Sequence, residues 1–171
     1  MFDEQGRKIA TSKHLEGISD LVVAPPLKQG FVPAFETITY EGRVRLVMKA
    51  LFRLRSAARE YELLKPFADS AERIQSLRSF RLGILPGSPA TLVLAATSNG
   101  AWEPYMRLIW NPLGPMLDVI FCNCEGYVAA RDNSFADYAE WVRKNQVHAD
   151  FFYATTGLTV DDLSYLSKAE R

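Results

Sequence analysis

The groups in this chain with chemistry to offer are two histidines, two cysteines, a basic helical stripe and a cluster of aromatic residues. His148 stands between a helix ending near Gln146 and the aromatic stretch Phe151-Phe152-Tyr153. An imidazole held by a helix end and walled by rings can serve as the axial ligand of a haem iron. It can equally sit at the carbonyl end of its helix as a favourable charge. Cys122 and Cys124 bracket Asn123. On a strand that spacing places both thiols on one sheet face, where they could share a soft metal. Tetrahedral zinc needs two more ligands, and the chain has no second Cys pair and no His-x-His pair. No metal is therefore expected, and the thiols read as small buried hydrophobes.

Arg45, Lys49 and Arg53 recur every four residues on the first long helix, with Arg55 and Arg59 extending a neighbouring row. Such a stripe can grip a phosphate, a haem propionate or an acidic partner. Glu60, Glu62, Asp69 and Glu72 are near enough in sequence to balance it as a solvated face. A later helix has Tyr105, Met106, Leu108 and Ile109 on its packing side, and Trp102, Tyr105, Met106 and Trp110 make a stripe along it. They can wall a flat apolar pocket between helix and sheet, or simply fill the core. Glu103 in a first helical turn is accounted for by the helix dipole. Pro25-Pro26-Leu27-Lys28-Gln29-Gly30 lacks the glycine spacing of a phosphate loop. With His14 in a polar arm, no Ser-His-Asp order is persuasive.

The elements that must position these groups begin with a strand over Asp20–Ala24, ended by Pro25-Pro26. A long connection over 25–38 follows. A helix from Tyr40 or Glu41 to about Leu64 buries Val44, Val47, Met48, Leu51, Leu54 and Ala58. Pro66 ends it, and Asp69 or Ser70 caps a short helix with Ile74 and Leu77 inward. Phe80–Leu85 and Thr91–Thr97 form a hairpin about Pro86-Gly87-Ser88-Pro89. Pro104 suits the first turn of the next helix, which Asn111-Pro112 and Gly114-Pro115 are expected to break. A strand over Val119–Cys122, a helix capped by Asp132-Asn133-Ser134, a strand over Phe151–Thr155 and a C-terminal helix opened by Thr159-Val160-Asp161-Asp162 complete the order.

At 171 residues and zero net charge, the chain has the size of one domain and no overall electrostatic pull toward nucleic acid or an anionic membrane. No apolar run approaches the roughly 20 residues of a membrane span, and the charged N-terminus lacks the apolar core of a secretion signal. The expectation is a cytoplasmic protein with a flexible arm over 1–19 and a single α+β domain over 20–171.

The order β-α-β-β-α-β is that of a ferredoxin-like sandwich, an antiparallel sheet with helices on one face. With the wording Thr97-Ser98-Asn99-Gly100-Ala101-Trp102-Glu103-Pro104-Tyr105 after a hairpin strand, the chain resembles the dimeric α+β-barrel superfamily, which includes dye-decolorising peroxidases and chlorite dismutases. The resemblance covers roughly residues 20–156. The Gly-x-x-Asp-Gly motif of dye-decolorising peroxidases is missing, and Ser98-Asn99-Gly100 has Asn where the acid would stand. The resemblance implies self-association through the open sheet face or an edge strand, and a ligand- or partner-binding role within a redox system. One alternative is a haem-dependent peroxidase-like enzyme with His148 as axial ligand and Arg45 and Arg53 near the haem. Another is an adaptor that binds an acidic partner through the Arg45–Arg59 helix.

Overall fold

A computed structural model of the chain describes residues 14–15, 18–33, 35–60 and 77–153. These residues form an α+β structure around an antiparallel sheet. Its strands are β1 (His14–Leu15), β2 (Ile18–Val23), β5 (Leu77–Leu85), β6 (Thr91–Asn99) and β7 (Gln146–Val147). A separate hairpin joins β3 (Phe31–Val32) to β4 (Phe35–Thr39). The helices are α1 (Tyr40–Glu60), α2 (Trp102–Phe121) and α3 (Phe135–Lys144).

The long strands lie in the order β2-β6-β5, and β7 joins the free side of β2 opposite Val22 and Val23. Every pairing is antiparallel. β2 and β5 therefore run the same way with β6 between them, connected through α1. β6 and β7 likewise run the same way with β2 between them, connected through α2 and α3. These are two interleaved split βαβ units. β2 opens at Ile18 and pairs backward with His14–Leu15, so the sheet reaches into the stretch read as an arm.

Alternation decides the faces. Leu92, Leu94, Ala96 and Ser98 of β6 are buried, while Thr91, Val93, Ala95 and Thr97 between them are only half-buried. Leu21 and Val23 of β2 join the buried set, with Leu82 and Ile84 of β5 packed against it. α2 lays Tyr105, Met106, Ile109, Leu113, Leu117, Ile120 and Phe121 over this inner face. α3 adds Tyr138, Ala139, Trp141 and Val142. α1 packs beside α2 and contributes the fully buried Val44. Thr39 caps α1, its Oγ1 accepting from the Gly42 N–H at 3.1 Å. Ser134 caps α3 by accepting from the Asp137 N–H at 3.3 Å, as the Asp132-Asn133-Ser134 signal predicts.

Several expected elements differ. Val119–Cys122 is no strand: α2 runs unbroken through Asn111-Pro112 and Gly114-Pro115 to Phe121. A short apolar run reads alike as strand or buried helix end, and here the three-to-four spacing from Tyr105 to Phe121 decides it. The last described strand of the sheet is Gln146–Val147, and Phe151 and Tyr153 stand 84% and 74% exposed outside any strand. The connection over 25–38 contains the β3–β4 hairpin. Leu77 opens β5 rather than closing a helix. The continuation of α1 to Leu64, the short helix after Pro66 and the C-terminal helix lie outside the described residues.

Gly114 carries another lesson. A Cβ placed there would stand 2.9 Å from the Cβ of Ala130, so this glycine lets the 129–131 segment cross α2 closely. Alanine is better than glycine in a helix by about 1 kcal/mol, but overpacking costs typically 1–3 kcal/mol. Gly114→Ala is expected to lower unfolding stability in a urea titration, and a gain would mean the crossing is loose.

Candidate binding surfaces

Between the inner sheet face and helices α2 and α3 lies a slot of about 30 Å³. Leu21, Leu94 and Ala96 form its sheet side, and Tyr105, Met106 and Ile109 part of its helix side. Of the four residues read as possible pocket walls, Tyr105 and Met106 line this slot. Trp102 and Trp110 serve elsewhere. The Arg143 guanidinium lies 4.3 Å from the centre of the Trp102 ring. The Trp110 Nε1–H donates to the Ala130 carbonyl at 3.1 Å, and its ring meets Phe135 edge-on.

The Tyr105 hydroxyl, the Trp102 Nε1–H and the Ser98 hydroxyl are buried without a hydrogen-bond partner among the described residues. Burial, reinforced by Tyr138, pushes the Tyr105 phenol far above its usual range. It keeps its proton at any ordinary pH and stands as a donor.

The second arrangement centres on Asn123, which is fully buried. Its Oδ1 accepts from Arg43 Nε at 2.5 Å, and its Nδ2 donates to the Ile120 carbonyl at 2.8 Å. Its own carbonyl accepts from the Lys28 N–H at 2.9 Å. Lys28 Nζ donates to the Cys122 carbonyl at 3.0 Å. The Tyr40 ring lies 5.7 Å from Lys28 Nζ and 5.5 Å from Arg43 Cζ. Asn123 therefore closes the C-terminal end of α2 and ties it to α1 and to the connection after β2. Pro25-Pro26-Leu27 is sewn into the same place by bridges from Pro26 to Thr91 and Leu27 to Cys124. The Asn123 role escapes sequence reading because Arg43 and Lys28, which it joins to the end of α2, lie 80 and more residues away.

Asp118 organises the loop that follows. It accepts from the Tyr127 hydroxyl at 2.6 Å and from the Ala130 and Arg131 N–H groups at 2.8 and 3.2 Å. Tyr127 then packs edge-on to Trp141, with ring centres 4.7 Å apart.

The remaining sequence candidates are scattered. Arg45 is exposed on α1 and pairs with Glu41 at 2.6 Å, a solvated four-residue contact. Arg53 is exposed farther along the same helix. His148 is half-buried just after β7. None of the three lines the slot, whose volume is far below the roughly 300 Å³ at which small-molecule pockets begin. The slot therefore does not fit a haem. Among the described residues, no three His, Cys, Asp or Glu side chains come together to hold a metal, and no helix is long and apolar enough to cross a membrane.

Compared with protein families, curated proteins and solved structures, the chain matches none. The class it defines is an α+β domain with a mainly antiparallel sheet.

The two cysteines differ sharply. Cys124 is fully buried, and burial pushes its thiol up to about 12, whereas Cys122 is half-buried. Since the thiolate is the reacting form, a thiol reagent at pH 8 is expected to modify Cys122 rapidly and Cys124 only on unfolding. Two fast thiols would contradict this burial. Asn123→Ala should cost about 2–4 kcal/mol in denaturant unfolding, since it strands several buried partners; a loss below about 1 kcal/mol would show that water replaces the side chain.

Proposed function

We propose that this chain is a partner-binding domain, a ferredoxin-like unit that pairs through its outer sheet face with a second copy to form an α+β barrel. The observation that carries this reading is the one-sidedness of the sheet. The three described helices all pack on the inner face. The outer face presents Val22, Val93, Ala95, Leu85 and Val147, the last two 58% and 48% exposed. An open apolar sheet face calls for cover. The interleaved split βαβ units support the ferredoxin-like reading, with β7 rather than Val119–Cys122 as the fourth strand.

Charge favours a second copy as the cover. Asp20 on β2 and Arg81 on β5 share the outer face, on either side of β6. Neither has an ion-pair partner among the described residues. A dyad along β6 sets each copy's β2 over the other's β5, so each Asp20 meets the second copy's Arg81. Such an isologous contact is self-complementary. Three strands about 4.8 Å apart and about 30 Å long give a footprint of roughly 400 Å² per copy, half of a standard interface. Pairing is therefore expected to be reversible. The resemblance drawn from the sequence supplies the proposed setting, a redox system.

Sedimentation velocity across about 1–100 μM tests the pairing. The expected result is a concentration-dependent shift from protomer to dimer, weakened at least about tenfold by Ala95→Arg. A strict monomer throughout would defeat the reading. Burial raises the Asp20 carboxyl above its ordinary value. The folded protomer thus binds that proton more tightly than the unfolded chain, and it loses stability as pH rises through the raised value. Asp20→Asn should stabilise the isolated protomer at neutral pH while weakening the dimer, and effects of the same sign would exclude the cross-copy pair.

A further inference from the structure

The slot beneath the sheet faces away from the proposed interface and owes nothing to self-pairing. We propose that it receives the tip of a slender, uncharged, largely hydrocarbon ligand with one hydrogen-bond acceptor, of the alkyl ketone class, bound by the Tyr105 hydroxyl.

The chemistry of the wall sets this class. Tyr105 and Tyr138, each 3% exposed, bring the wall's phenol groups. The Trp141 Nε1–H, the other polar side-chain group of the lining, is directed at the Glu125 carbonyl at 3.4 Å. All other lining side chains are hydrocarbon or thioether. A carboxylate or ammonium group would enter without a counter-charge, at a desolvation cost that its binding could not recover. An uncharged carbonyl meets no such penalty.

The Tyr105 hydroxyl supplies the second half of the argument. It is buried with no partner among the described residues, an unfavourable state that an arriving acceptor would relieve. Because burial keeps the phenol protonated, it can donate to an acceptor that arrives. The slot as it stands accommodates a group of about one or two water volumes, so the tip of the ligand enters and its chain trails outward. Leu77 and Phe80 mark the way in: both line the slot from β5, and Phe80 is 39% exposed.

The test titrates the full chain with 2-hexanone and with hexane, reading leucine methyl resonances in carbon–proton NMR spectra. In the wild type, 2-hexanone is expected to shift the methyl groups of Leu21, Leu94 and Leu113 saturably. Hexane should bind about tenfold more weakly, the worth of one hydrogen bond. Tyr105→Phe should erase that difference and leave hexane binding intact. The absence of a saturable shift with 2-hexanone, equal affinities in the wild type, or a ketone preference that survives Tyr105→Phe would each overturn the proposal. The wild-type comparison stands even if the variant does not fold. Sedimentation reads self-pairing separately, so the two readings fail independently.

Discussion

The structure depends on burying one long helical stripe. α2 carries apolar side chains at three-to-four spacing from Tyr105 to Phe121, and the inner sheet face is the surface that covers them. Each fully buried large side chain contributes about 1.5–3 kcal/mol. A proline within a helix costs about 3 kcal/mol. The stripe contains enough such side chains to outweigh both interior prolines, so the helix continues where isolated sequence rules would stop it. Gly114 fits the same logic, because its missing Cβ admits Ala130 against the helix.

Continuing α2 to Phe121 moves the polar problem to its far end. The carbonyl groups there need partners in a place already closed by Val44, Leu27 and Cys124. Asn123 answers Ile120, and Lys28 answers Cys122. Asp118, a carboxylate poorly suited to the last turn of a helix, is offset by three donors from the loop it holds. These bonds join α1, α2 and the connection after β2 into one packed corner. The positive charges of Lys28 and Arg43 are thereby used in structure rather than left for a diffusing anion.

With the described helices packed on one face, the described part of the sheet has two unlike surfaces. The inner surface is closed to within a small slot lined by Tyr105, whose hydroxyl has no hydrogen-bond partner among the described residues. Among the described residues, the outer surface carries small apolar and polar residues together with Asp20 and Arg81. The proposed occupants differ accordingly: a ligand tip that brings its own acceptor inside, and a second copy whose charges are the mirror of the first outside.

Periodicity alone made much legible. The hairpin of β5 and β6, the start of α1 and the inward side of its first turns, the cap of α3 and the α+β class all follow from local spacing and turn chemistry. Tyr105 and Met106 were also readable as inward-facing residues, since they belong to a helical stripe beside a strand. Tertiary structure decided the rest. Val119–Cys122 could be strand or helix until Gln146–Val147 took the place beside β2, because that choice depends on which segment reaches the free edge of β2. The parting of Trp102 and Trp110 from Tyr105, the closure of α2 by Asn123 and the isolation of His148 from Arg45 and Arg53 depend on contacts between distant parts of the chain. Local pattern fixes which way a residue faces along its own element. Only packing decides which other element it meets there.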